Sequence, residues 1–177
     1  MNDDVQVRRV RPGEAAELVE PLADVLIDCV EGGASVSFLL PLPRATALAF
    51  WRGVAEGVAR GDRALLVAQD AQGAVLGTVQ LVLALAQNQP HRADVAKMLV
   101  RRAARRRGIA RRLLEALDAT ARAEGRSVLV LDTVTGGDAE RLYARQGWQR
   151  LGVIPGYALW PNGGLCDTTY FYKSLLT

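Results

Sequence analysis

Seven arginines stand around one glycine in the stretch from Arg101 to Arg112, RRAARRRGIARR, and no acidic residue follows until Glu115. The stretch lies between a predicted strand and a predicted helix. A helix N-terminus offers unpaired N–H groups and about half a positive charge, and Gly108 would let a phosphate approach the backbone without a Cβ in the way. Arginines add charge-assisted hydrogen bonds to phosphate oxygens. The stretch therefore predicts a cradle for a diphosphate group.

Two other interpretations of the arginines compete with this one. Nucleic-acid binding favours arginines spread along a face with aromatic residues between them, whereas no aromatic residue lies between Trp51 and Tyr143. A solvated helix face stays open, because 20 of the 22 basic residues are arginine. The net charge of +3 is smaller than the charge of the stretch, so the rest of the chain is net acidic. This local concentration favours a small anionic partner over nucleic acid.

Composition predicts one compact domain over residues 1–177. Half of the residues are hydrophobic, and the mean hydropathy is +0.08. No apolar run reaches the ~20 residues that span a bilayer, and the charged N-terminus lacks the apolar core of a secretory signal. We therefore expect a cytoplasmic protein without a membrane partner. Cys29, Cys166 and the single His91 stand too far apart to predict a metal site.

Hydrophobic periodicity predicts the elements that position this stretch. The order is β-α-α-β-β-β-α-β-α-β-β, which predicts a mixed sheet with helices on its faces, of class α/β or α+β. Gly125 ends the helix that follows the arginines, and the next strand is apolar enough to be covered on both faces. The predicted helices cover 14–30, 44–60, 109–124 and 138–146, and the predicted strands cover 5–10, 64–70, 74–84, 91–100, 127–133, 148–160 and 167–175.

Two motifs carry a family resemblance. The run from Arg105 to Ala110 has an Arg, two residues, a Gly, one residue and an Ala at a strand–helix junction, and Leu142-Tyr143 precedes Gly147-Trp148. With this element order, the whole chain resembles the GCN5-related N-acetyltransferase (GNAT) family. The resemblance implies the GNAT fold, a mixed and mostly antiparallel seven-stranded sheet flanked by about four helices. It also implies acetyl-CoA as the cosubstrate.

The resemblance assigns the cofactor contacts. It implies that the backbone of Met98, Leu99 and Val100 pairs with the pantetheine arm, and that a splay between strands 95–100 and 127–133 admits the thioester. The residues expected at the diphosphate are Arg105, Arg106, Arg107, Gly108, Ile109, Ala110 and Arg111. One position departs from the family, because Gly136 stands where many relatives carry an Asn that contacts CoA, and that contact is not carried over.

Within the family, the stretches GGASVSF, RADVAKMLV, LVLDT and PGYALWPNGG look like those of the tabtoxin-resistance acetyltransferases. This resemblance implies an acceptor amine on a small amino-acid-like molecule, such as a β-lactam amino-acid toxin. It also implies a role in antibiotic or toxin resistance. The first two stretches lie outside the CoA motif and bear on the acceptor.

Acyl transfer to an amine needs a base, an acid and a donor for the developing oxyanion. The resemblance places Tyr143 beside the CoA sulfur, and a phenol with a pKa near 10 can protonate a leaving thiolate. The base candidates are Asp132, at the carboxyl end of a buried strand, and Asp94 on the neighbouring strand. Each has a structural alternative: Tyr143 as a packing residue, Asp132 as a cap of the next loop, and Asp94 as a partner of Arg92 or Lys97.

The sequence indicates less about the other parts of the acceptor site. Ser35 and Ser37 of GGASVSF are predicted substrate contacts, although the segment also fits a plain loop that ends a helix. Trp160 is a candidate residue of the pocket wall, and the alternative is that it packs in the core. A backbone N–H near Leu99 is the expected oxyanion donor. Two alternative functions stay open: a peptide acetyltransferase, and a non-catalytic CoA sensor or nucleic-acid binder. The oligomeric state is also open, and a homodimer is one possibility.

Overall fold

The computed structural model describes residues 5–176, in which seven strands and four α-helices alternate in the predicted order. The predicted fold class, a mixed and mostly antiparallel sheet with four helices, is confirmed. The strands are β1 (Gln6–Arg9), β2 (Arg63–Gln69), β3 (Val75–Val82), β4 (Arg92–Val100), β5 (Val128–Val134), β6 (Gln149–Leu159) and β7 (Leu165–Ser174). The helices are α1 (Val19–Glu31), α2 (Arg44–Ala59), α3 (Ile109–Ala123) and α4 (Asp138–Arg145).

The sheet has the strand order β1-β2-β3-β4-β5-β7-β6. Every neighbouring pair is antiparallel except β4–β5, which the crossover helix α3 joins in parallel. The parallel pair is short: Asp94 pairs with Val130, and the register ends there. Beyond this point β4 and β5 diverge and leave a gap in the middle of the sheet. The resemblance implied such a gap between these two strands.

Two hydrophobic clusters cover the two faces of the sheet. Leu113 and Leu117 of α3 pack with Phe171 of β7 in the first cluster, and Leu22 of α1 packs with Trp51 of α2 in the second. All five side chains are 1% exposed or less. Successive residues of β2 alternate between the clusters, as a pleated strand buried on both faces requires. The two cores fix α1, α2 and α3 around the central gap.

A β-bulge interrupts β4. Thr78 pairs with Leu99 and Gln80 with Ala96, so two residues, Lys97 and Met98, oppose the single residue of β3 between them. Lys97 takes a left-handed backbone conformation with φ of 52°. Bulges of this kind re-aim side chains and are frequent beside active sites. The sequence did not predict this irregularity.

The first predicted helix is wrong in its N-terminal part. Residues Pro12–Leu18 form a 3₁₀ helix, and the α-helix begins only at Val19. Pro21 explains the difference, because an α-helix starting at residue 14 would need an N–H at residue 21 to bind the carbonyl of residue 17. A start at Val19 places Pro21 in the first turn, where no such bond is needed.

A partly buried ion pair joins α3 to β7 and gives a stability prediction. Lys173 Nζ lies 2.6 Å from Asp118 Oδ2, and both side chains are less than one fifth exposed. We expect Lys173→Met to lower the free energy of unfolding by about 3–5 kcal/mol, because it leaves the Asp118 carboxylate buried without a cation. Thermal unfolding followed by circular dichroism measures the effect. The double variant Lys173→Met/Asp118→Leu should recover part of the loss, and a double variant no more stable than the single one would contradict the explanation.

Candidate active site

One cleft of about 910 Å³ opens where β4 and β5 diverge. It is bounded by the end of α1 and the loop after it, the bulge of β4, the start of α3, the end of β5, α4 and the β6–β7 hairpin. Most of the predicted site residues line this one cleft: Ser35, Ser37, Met98, Leu99, Val100, Arg105, Arg106, Gly108, Ile109, Ala110, Arg111, Asp132, Tyr143 and Trp160. Arg107 and Asp94 lie outside the lining.

Gly108 forms the N-cap of α3 in the left-handed conformation, with φ of 75°. A Cβ built at this position would meet no atom of the protein within 4 Å. The glycine is therefore required by its backbone angle and not by crowding from the protein itself. Its open side faces the cleft, so the space beside the first N–H groups of α3 is accessible to an anion.

Five of the seven arginines fall into two groups with different surroundings. Arg102 donates to Asp28 of α1 from both its backbone N–H and its Nε, and Arg101 Nε donates to the Val75 carbonyl at 2.9 Å. These two arginines hold the β4–α3 connection against α1 and β3. Arg105, Arg106 and Arg111 line the cleft and are exposed. The positive charge available to a ligand is therefore smaller than the sequence suggests.

Tyr143 of α4 lies on the side of the sheet covered by α3. The residue is 4% exposed, and the centre of its ring lies 5.7 Å from that of Trp148 in an edge-on contact and 6.0 Å from that of Phe171 in a tilted one. Burial, and then the negative charge of Asp132, raise the pKa of its phenol well above the usual value of 10. A phenol in this position keeps its proton throughout the neutral range, as a general acid must.

Asp132 stands near the end of β5 and is exposed in the cleft. Its Oδ2 accepts a hydrogen bond of 3.0 Å from the Thr168 hydroxyl. Its register partner Tyr170 shares a 2.9 Å hydrogen bond with Tyr157. That hydrogen bond, burial and then the charge of Asp132 raise the pKa of Tyr170 to about 12. Asp132, Tyr157 and a second carboxylate, Asp167, line the acceptor end of the cleft.

Asp94 pairs with Arg92, which was the structural alternative to its role as a base. Its Oδ1 accepts a hydrogen bond of 2.8 Å from Arg92 Nη1 on the same strand. It lies on the strand beside β5, as the sequence predicted, but outside the lining of the cleft. Its role as a base stays a prediction.

The loop between α1 and α2 covers the acceptor end. Ser35 Oγ donates to the Leu159 carbonyl at 2.9 Å and lies 3.6 Å from Cys166 Sγ. The Leu40 N–H donates to the Pro161 carbonyl at 2.7 Å. Both bonds tie the loop to the tip of the β6–β7 hairpin beside Trp160. The Ser35 hydroxyl therefore holds the loop in place, and its predicted contact with a substrate stays a prediction.

Lys97 is one of several lining residues that the sequence patterns did not indicate as site residues. Its Nζ donates to Ser37 Oγ at 3.1 Å and lies 5.5 Å from the centre of the Phe50 ring. Burial lowers the pKa of this ammonium group, Asp132 opposes the shift and Arg63 adds to it. One signal was present: only two of the 22 basic residues are lysines, so this position departs from the preference of the chain.

Comparison with known proteins identifies the class. Residues 61–150 match the model of the Acetyltransferase (GNAT) domain. An uncharacterized N-acetyltransferase of Azospirillum brasilense, from the hisH-hisA intergenic region, is 34% identical over 131 residues, which cover 73% of this chain and 75% of that protein. The chain therefore belongs to the GNAT family of acetyltransferases. It is an acyltransferase, and the N-acetyltransferases of this family use acetyl-CoA.

Solved structures share the fold. An N-acetyltransferase from Staphylococcus aureus Mu50 superposes with a TM-score of 0.79 at 18% identity, over 98% of this chain and 99% of that chain. A structure from Salmonella typhimurium, described as an acetyltransferase with its cofactor acetyl-CoA, superposes with a TM-score of 0.78 at 19% identity. That match covers 98% of this chain and 95% of the other.

Two further properties bear on the function. Within residues 5–176, no three His, Cys, Asp or Glu side chains are grouped so that they could hold a metal ion. In the same part of the chain, no helix is both long and apolar enough to cross a membrane.

Proposed function

We propose that residues 1–177 act as one N-acetyltransferase domain that acetylates the amine of a small, amino-acid-like molecule by direct transfer in a ternary complex. The observation that supports this is the continuity of one cleft, which Gly108, Tyr143 and Asp132 all line. The anion cradle would bind CoA, the protonated phenol would serve as the acid and the exposed carboxylate as the base of acetyl transfer to an amine.

The residues at the start of α3 fit the diphosphate of CoA. Gly108 leaves an open approach to the backbone, and Arg105, Arg106 and Arg111 supply cations at the same end of the cleft. Met98, Leu99 and Val100 line the cleft where β4 has parted from β5. We propose that the backbone groups of these residues pair with the pantetheine arm as an added strand would.

Asp132 and Tyr143 divide the proton transfers. Acetyl-CoA supplies an acetyl thioester, whose carbonyl carbon accepts the amine while its C–S bond breaks. Asp132 attracts the ammonium form of the acceptor and takes its proton through water, so that the nitrogen lone pair is free to form the new C–N bond. Tyr143 gives its proton to the leaving thiolate and regains one from solvent.

A covalent acyl-enzyme is not favoured. Cys29 lines the cleft, but its thiol is buried and its Sγ donates to the Val100 carbonyl at 3.4 Å. Burial raises the pKa of this thiol above its usual 9.0, which disfavours the thiolate nucleophile at neutral pH. This environment supports direct attack by the acceptor amine.

A small acceptor fits the covered end of the cleft better than a protein does. The loop after α1 and the tip of the β6–β7 hairpin are joined there by the bonds from Ser35 and Leu40. A long peptide would have to part them, whereas a small amine would not. The likeness of GGASVSF and RADVAKMLV to the tabtoxin-resistance enzymes supports an amino-acid toxin or antibiotic as the acceptor and a role in resistance.

The test is release of the CoA thiol from acetyl-CoA across a panel of small amino acids, β-lactam amino acids and short peptides. We expect turnover of a small amine, and we expect Asp132→Asn to lower kcat/KM by about 100-fold, because it removes the proton acceptor but keeps the side-chain shape. Asp94→Asn is the comparison, and a larger loss in that variant would reassign the base. Turnover confined to peptides would overturn the small-molecule proposal.

A further inference from the structure

The acceptor end of the cleft carries two opposite charges on one face of the sheet. Asp132 and Tyr170 are register partners on β5 and β7, and the bulge of β4 presents Lys97 across the gap from them. We call this region the acceptor bay and define it by Ser37, Lys97, Asp132 and Tyr157, all of which line the cleft.

Neither charge of the acceptor bay has a charged partner in the salt bridges found among residues 5–176. Lys97 Nζ contacts a neutral hydroxyl and an aromatic ring, and Asp132 accepts its hydrogen bond from the hydroxyl of Thr168. The neighbouring Asp94 differs, because Arg92 neutralises it. The bay therefore offers one cation and one anion to a ligand, each held by neutral groups.

The backbone and the side chain of Lys97 are both held in a fixed position, unlike those of an ordinary surface lysine. The bulge puts its backbone in the left-handed region, a conformation that costs a non-glycine residue about 1–2 kcal/mol. Ser37, which contacts its Nζ, also has a positive φ, of 81°. The Phe50 ring lies beside the ammonium group. Two strained residues and an aromatic ring thus fix one cation at the acceptor end of the cleft.

We propose that Lys97 binds the carboxylate of the acceptor, so that the substrate is a zwitterionic amino acid whose amine faces Asp132. This inference rests on the proposed function and adds the group that selects the substrate. A carboxylate beside Lys97 would form the direct ion pair that none of the salt bridges among residues 5–176 gives this ammonium group. The ammonium group of the same molecule would meet Asp132 at the other side of the acceptor bay.

The distribution of charge argues against two other acceptors. A simple alkylamine or a diamine has no negative charge that could pair with Lys97. Its own ammonium group would be a second cation near that of Lys97. A peptide N-terminus has an amide where a free amino acid has its carboxylate, so it too lacks the anion. A molecule with both charges satisfies both sides of the acceptor bay, and it is small enough to sit beneath the loop that Ser35 fastens.

The test compares each l-amino acid of a panel with its own carboxamide as acceptor, by release of the CoA thiol. The carboxamide keeps the amine and the side chain but loses the negative charge. Its amine also has a lower pKa than that of the acid, because the nearby anion is gone, so availability of the free amine favours the amide. We expect the wild-type protein to prefer the acid by about 10- to 100-fold in kcat/KM.

Lys97→Met should remove this preference by raising KM for the acid while leaving kinetics with the amide nearly unchanged. Lys97→Arg should retain part of the preference, because it keeps a cation at the bulge. The matched control is Arg52→Met, which removes one cation from the exposed side of α2, outside the cleft, and should keep the full discrimination. A KM for acetyl-CoA equal to that of the wild type shows that each variant is folded.

The outcomes separate the two proposals. Equal use of acids and amides by the wild-type protein overturns the carboxylate site while the acetyltransferase proposal stands. Discrimination that survives in Lys97→Met, or an equal loss of activity toward acids and amides in that variant, also overturns it. If no amine of either set is acetylated, the proposed function fails, and the substrate class inferred from Lys97 fails with it.

Discussion

Replacing Tyr143 with Phe is expected to lower kcat for acetyl transfer by about 100- to 1,000-fold while KM for acetyl-CoA stays within a factor of about three. The variant removes only the hydroxyl, which supplies the proton for the leaving thiolate, and it keeps the ring that packs against Trp148 and Phe171. Stopped-time assays of CoA thiol release at saturating acceptor measure the change in kcat.

The matched control for this prediction is Tyr172→Phe. Tyr172 lies on β7 near Tyr143's neighbour Phe171, but its hydroxyl donates to Gln149 on β6 and not into the cleft. We expect less than a threefold change in kcat. A Tyr143→Phe variant as active as the wild type would remove the phenol from the mechanism. If the wild-type protein and the Tyr143→Phe variant both bind acetyl-CoA and neither shows turnover, the non-catalytic sensor is favoured.

Replacing Gly108 with Val is expected to raise the Kd for acetyl-CoA by about 100-fold, whereas kcat at saturation changes less. A branched side chain disfavours the left-handed conformation that Gly108 adopts, and its Cβ would occupy the open space beside the first N–H groups of α3. Each charge-assisted hydrogen bond lost there costs about 1.5–3 kcal/mol, and about 1.4 kcal/mol is a factor of ten in Kd. Isothermal titration calorimetry with acetyl-CoA measures the change.

Gly125→Val separates the loss of the anion cradle from backbone strain. Gly125 follows the other end of the same helix and also has a positive φ, of 68°, and a Cβ added there would likewise meet no atom within 4 Å. It lies outside the cleft. Both variants should unfold at a lower temperature by similar amounts, but only Gly108→Val should lose affinity for acetyl-CoA. Equal Kd values in the two variants would contradict the cradle.

The fold could be predicted because its signals are local. Apolar periods of two and of 3.6 residues alternate along the chain, and glycines such as Gly33, Gly61 and Gly125 mark the ends of helices with a positive φ. The start of α1 could also have been predicted, since Pro21 forbids an earlier α-helical turn. That error came from following the apolar period past a proline.

The site was only partly predictable, because several of its properties depend on distant residues. Gly108 and Tyr143 stand in recognisable motifs. The partition of the arginines does not follow from the motif, since Arg102 is engaged by Asp28 from a helix more than 70 residues earlier in the chain. Alternation along β4 could place Asp94 and Arg92 on one face, but it could not decide whether Asp94 would pair with Arg92 or face the cleft.

The rarity of lysine singles out Lys97, but its place in the cleft could not be predicted, because a bulge arises from a mismatch between the lengths of two strands and not from any residue type. The register pairs on either side show that the extra residue is an insertion relative to β3. Deleting it would leave Leu99 opposite Thr78 and Ala96 opposite Gln80, with both hydrophobic cores intact. The left-handed backbone of Lys97 is strained, which lowers stability. If Lys97 binds the acceptor carboxylate as proposed, the bulge gives up stability in order to place a cation in the cleft.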